Sequence, residues 1–98
     1  MTIVEFLNAR LDEDERASRA VPVGTRGRER ALAEVAAKRM IIQGYTRAHA
    51  ASMRVLEPAP SSPADGDPWS ELLAWRRAVK YVATVYRAHP QYDRTWED

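Results

Sequence analysis

At 98 residues and 11.1 kDa the chain has room for one domain with a thin core, spanning 1–98, and not for two. Fifteen Lys and Arg against 14 Asp and Glu leave a formal charge of +1, so overall charge points to no polyanion, and 45% hydrophobic residues suit a folded chain rather than a disordered one. With no cysteine, a disulfide framework, a thiol nucleophile and thiolate metal sites are excluded.

The first helix is predicted over Ile3–Arg19. Thr2 and Glu5 have capping-box spacing: the hydroxyl accepts an orphan amide hydrogen bond and the carboxylate reaches back. Ile3, Phe6, Leu7 and Leu11 then recur at steps of three and four, making one apolar stripe. The run Asp12-Glu13-Asp14-Glu15-Arg16 reads as a solvated face with Asp12–Arg16 and Glu15–Arg19 pairs, since it lacks the glycine and alternating oxygen ligands of a calcium loop. Glu5 and Arg10 interrupt any secretory leader here, and charge-free runs such as Met40–Thr46 are far short of the ~20 residues a membrane span needs. The expected location is cytoplasmic.

Val21-Pro22-Val23-Gly24, followed by Gly27, breaks this helix. A longer second helix is expected from Arg28 to Met53 or Leu56. Its apolar stripe runs through Ala31, Leu32, Val35, Ile42, Tyr45, His49, Met53 and Leu56, with a gap at Lys38 and Arg39. Gly44 marks a kink or a close helix crossing. Residues 21–56 are the basic segment, at +5, between flanks of −2 each.

Glu57–Asp67 is a Pro/Ser-rich linker by composition. Asp67 as N-cap, Pro68 in the first turn and Glu71 beside the positive helix end then announce a third helix. Leu72, Trp75, Val79, Val82, Tyr86 and His89 step regularly along one face, and Pro90 is expected to stop the helix at His89. Three amphipathic helices without a strand pattern predict an all-α domain, a helical hairpin plus third helix or a three-helix bundle. Stripes this regular also allow burial against a second copy, so a homodimer stays open.

Three blocks resemble a family of short actinobacterial and actinophage proteins of unknown function. They are Phe6-Leu7-Asn8-Ala9-Arg10-Leu11-Asp12-Glu13-Asp14-Glu15, the central run ALAEVAAKRMII at Ala31–Ile42, and the close YRAHPQYDRTW at Tyr86–Trp96. They cover about a third of the chain in family order. The resemblance implies a source and no activity. Members carry cysteines between the central helix and the ending, a pattern that implies a small metal site; Arg54–Trp69 has none, so that site does not carry over.

Among candidate chemistries, His49 and His89 lie on predicted apolar stripes and would form a zinc site only with a carboxylate such as Glu57 or Asp93; hydrogen-bonded core-edge histidines are the plainer reading. Ser61 and Ser62 lack a nucleophile elbow, and no phosphate-binding glycine loop is present, so neither an enzyme nor a cofactor is expected. A nucleic-acid accessory role would use Arg26, Arg28, Arg30, Arg39 and Arg47 on phosphates, against the alternative that these residues pair with the acidic run of the first helix. The favoured expectation is binding to another protein. Three tryptophans and four tyrosines, mostly late in the chain, exceed the needs of one thin core, which nominates Trp69, Trp75, Tyr92 and Trp96 as interface residues.

Overall fold

Thr2 caps the first helix in the manner its spacing to Glu5 predicts. The Glu5 amide donates to Thr2 Oγ1 at 3.1 Å, and the Thr2 amide donates to Glu5 Oε1 at 3.3 Å. The computed structural model describes residues 1–54 and 68–97. Helix α1 runs Ile3–Ala20, α2 runs Arg28–Arg54, α3 runs Pro68–Thr84, and a short 3₁₀ turn closes the described chain at Arg94–Trp96. No strand occurs among the described residues, so the protein is all-α. None of these helices is long and apolar enough to cross a membrane.

α1 and α2 form a hairpin, and α3 packs chiefly on α2. Two glycines turn the hairpin: Gly24 and Gly27 hold φ of 87° and 93°, a region closed to most side chains. Arg28 ties the turn down by donating from Nε to the Val21 carbonyl at 2.9 Å. The core is small. Phe6, Leu7 and Leu11 of α1 meet Val35 and Ile42 of α2 and Val79 and Ala83 of α3.

The gap in the α2 stripe is filled by charge that serves the fold. Arg39 reaches across to α1, with Nη2 2.9 Å from Asp12 and 3.7 Å from Glu15, and Lys38 Nζ stands 5.5 Å from the centre of the Tyr86 ring. Asp12 is therefore paired with Arg39 rather than with Arg16 as expected, while the Glu15–Arg19 pair is present at 3.5 Å.

Past Tyr45 the buried side of α2 departs from the predicted stripe. Ala48 and Ser52 are buried, whereas His49 and Met53 are exposed. The reason is size. Gly44, Ala48 and Ser52 form a row of small residues four apart, and the Trp75 ring of α3 lies against Gly44 where a Cβ would sit. The close crossing expected at Gly44 is thus present, made by a tryptophan against bare backbone.

The end of α3 is a second correction. The helix stops at Thr84, not at His89. Thr84 Oγ1 donates to the Tyr81 carbonyl at 2.6 Å, and the following amides close tight three-residue bonds: Val85 to Val82, Tyr86 to Ala83 and Arg87 to Thr84. β-Branched Thr84 and Val85 weaken helix continuation there. Tyr86 and His89 keep their inward stations by leaving the helix and turning onto Phe6. The predicted linker, the Asp67 cap and the Leu56 end of the second stripe lie outside the described residues.

Candidate functional site

The end of the chain is held in place from its beginning. The Phe6 ring, fully buried, meets Tyr86, His89, Tyr92 and Trp96 at centroid distances of 6.2, 5.6, 6.1 and 5.0 Å. Most of these contacts are edge-on, the arrangement that ring quadrupoles favour. Arg10, one turn further along α1, is only 7% exposed and lays its guanidinium 5.3 Å from the same ring. Its Nη1 donates to His89 Nδ1 at 2.9 Å and also contacts Nε2, and reaches Gln91 Oε1 at 3.4 Å; Nη2 pairs with Glu13 at 3.0 Å. The Gln91 amide also donates to His89 Nδ1, so that nitrogen presents its lone pair. One polar atom in this knot, Arg10 Nε, is buried without a partner. Tyr86 adds a further link, donating to Asp14 Oδ2 at 2.5 Å. Burial first, then the hydrogen bond and the charge of Asp14, push the Tyr86 phenol well above its ordinary range against the opposing charge of Arg10.

Anchored this way, the 3₁₀ turn becomes a wall of a groove. Asp93 caps the turn, accepting from the Thr95 amide at 2.9 Å and from its hydroxyl at 2.7 Å, and these bonds hold its carboxyl below the usual range. Trp96 then projects beside α3, while Glu97 pairs with Arg87 at 2.7 Å and accepts from Tyr92 Oη at 3.3 Å. The groove, of about 510 Å³, runs along the face of α3 that the bundle does not use. Leu73 and Tyr81, 61% and 65% exposed, and Trp96 supply its apolar surface; among the described residues Arg76, Arg77, Lys80 and Arg87 supply four cations against the one carboxylate of Glu97. The groove positions 73, 76, 77, 80, 81 and 84 follow helical spacing opposite the buried stripe, so α3 carries two faces, one for the core and one for solvent.

The four expected interface aromatics divide. Trp69, near the head of α3, is 47% exposed. Trp75 is half-buried against Gly44, and Tyr92 and Trp96 are half-buried on Phe6, with Trp96 also lining the groove. Of the five candidate arginines of the basic segment, Arg26 and Arg28 line one shallow depression and Arg39 and Arg47 line another. Arg28 is drawn onto Val21, Arg30 pairs with Glu34 at 3.3 Å, and Arg39 spans to α1. Arg26 is exposed in the turn, and Arg47 borders a shallow depression between α1 and α2. His49 is exposed beside Tyr45, while His89 is in the Phe6 knot, so the two histidines stand in different clusters. No group of three potential metal ligands occurs among the described residues.

Sequence reading missed both Arg10 and the groove cations. Arg10 gives no signal, because burial of a lone arginine is a tertiary event. The groove does give one: between Leu72 and Tyr92 there are four Arg/Lys and no Asp or Glu, a run hidden when charge is summed over 57–98. No curated protein and no solved structure matches the chain. The residues that resemble a family of unknown function, Phe6–Glu15, Ala31–Ile42 and Tyr86–Trp96, include the α1 and α2 share of the core, the α1–α2 ion pairs and the Phe6 knot. Consistent with that, one family profile covers residues 1–98, and the protein belongs to the family of unknown function DUF6221.

Proposed function

We propose that this is a non-catalytic protein of the cytoplasm that works by binding another protein through the outer face of α3. The observation that carries this reading is the exposed apolar row Trp69, Leu73 and Tyr81, set four and eight residues apart on the side of α3 turned away from the core and continued by exposed Val85 in the turn just past the helix. A single exposed apolar residue is ordinary; a row along a helix beside a groove is the pattern of a docking face. Nucleic-acid binding through α2 draws less support, because Arg28, Arg30 and Arg39 are already engaged within the chain. For a phage-encoded copy the partner would be a host protein.

The test is affinity capture from a lysate of the encoding organism, with and without nuclease, comparing the natural chain with Leu73→Asp/Tyr81→Asp. The expected result is a protein retained after nuclease and lost with the variant, whose helical signal stays intact because both side chains are exposed. Retention that is equal for both proteins, or that disappears with nuclease, refutes the assignment of this face.

A further inference from the structure

We infer that the α3 groove receives an acidic segment of its partner, with carboxylates on Arg76 and Arg77 and an apolar side chain on Leu73, Tyr81 and Trp96; this rests on the reading of that face as a protein-binding surface. Both arginines are exposed and make no ion pair among the described residues, although they stand on adjacent positions beside Lys80. Concentrated like charge of this kind serves recognition of the opposite sign better than it serves stability, since neighbouring cations repel.

Among the described residues the groove already holds one carboxylate. Glu97 lies at its end, 2.7 Å from Arg87, with Tyr92 Oη as a second donor. Arg87 is thus satisfied within the chain, and Arg76 and Arg77 are left for a visitor. A second copy is a poor occupant, because two such faces brought together would set arginine against arginine. A single strand of nucleic acid would want a series of stacking rings, whereas Tyr81 is the one strongly exposed ring here and Leu73 offers no stacking surface.

The experiment is selection of a displayed random-peptide library on the immobilised protein at low salt, with fluorescence anisotropy on the recovered peptides. The expected pool is rich in Asp and Glu together with Leu or aromatic residues. Its affinity should fall on the order of ten-fold or more with Arg76→Glu/Arg77→Glu and recover largely with Arg76→Lys/Arg77→Lys, because the charge rather than the guanidinium fork is used. Glu97→Gln should raise it a few-fold by releasing Arg87. A pool that binds and needs Leu73 and Tyr81 but shows no acidic enrichment overturns this inference and leaves protein binding standing. Failure to enrich any peptide overturns both. Tight binding of an oligothymidine strand that Arg76→Glu/Arg77→Glu abolishes also overturns it, and reassigns the groove to nucleic acid.

Discussion

Replacing Phe6 by alanine removes the one ring on which the start and the end of the chain converge. The side chain is fully buried and borders four aromatic neighbours and the Arg10 guanidinium. Truncating a buried phenylalanine costs about 3–5 kcal/mol in transfer and cavity terms. A domain of this size is stable by only about 5–15 kcal/mol, so the variant should lose between about a fifth and all of its stability. At about 4–8 °C per kcal/mol the melting temperature should drop by roughly 12–40 °C. Phe6→Leu separates the causes: it keeps most of the apolar volume and loses the ring-edge contacts, for about 1–2 kcal/mol. Urea unfolding followed by far-ultraviolet circular dichroism gives the free energies, and near-ultraviolet signals from Tyr92 and Trp96 report the knot directly. A Phe6→Ala loss under about 1 kcal/mol would refute Phe6 as the organising residue, given the cavity such a change should leave. A Phe6→Leu variant as stable as the natural protein would refute the aromatic share.

Three further outcomes are expected. Gly44→Ala gains about 1 kcal/mol of helix propensity but overlaps the Trp75 ring, for a net loss of about 1–2 kcal/mol; in a Trp75→Leu background the same change should become neutral or stabilising, a reversal that thermal unfolding would reveal. Tyr86→Phe should cost about 1.5 kcal/mol at neutral pH, because Asp14 loses its phenolic donor. The natural protein should also lose stability above pH ~10, where the unfolded chain releases the Tyr86 proton and the folded chain retains it; this part of the alkaline slope is absent in the variant, and ultraviolet titration should show one tyrosine ionising late. Arg39→Ala should destabilise by less than about 1 kcal/mol, since its partners Asp12 and Glu15 are partly solvated, and the difference should shrink towards zero near 1 M salt.

Periodicity in the sequence records which positions turn inward, and it does so well here. The capping box, the α1 stripe, the break at Gly24 and Gly27 and the inward stations of Tyr86 and His89 are all legible before any coordinates. What periodicity does not record is whether an inward station belongs to a helix, and so α3 reads five residues too long. It also weights large side chains. The row Gly44, Ala48 and Ser52 is invisible to it, because those residues shape packing by being small and letting Trp75 approach. The groove was legible in principle, from the acid-free run between Leu72 and Tyr92, once charge is taken by helix face instead of by segment. Arg10 was not, since its burial depends on His89 and Gln91 arriving from the other end of the chain.

That last dependence has a consequence for how the protein is made. Arg10 and His89 are 79 positions apart, and Phe6 draws its ring neighbours from the same late segment. A chain emerging from the ribosome exposes α1 long before Tyr86–Trp96 exists, so Phe6 and Arg10 wait through the synthesis of α2 and α3 without the groups that cover them. Packing α1 on α2 is available early and is local; the knot is neither. Native structure is thus completed only once Tyr86–Trp96 has emerged, and a nascent chain that stalls inside α3 presents an uncovered aromatic beside an uncovered cation, the kind of surface that chaperones and proteases recognise.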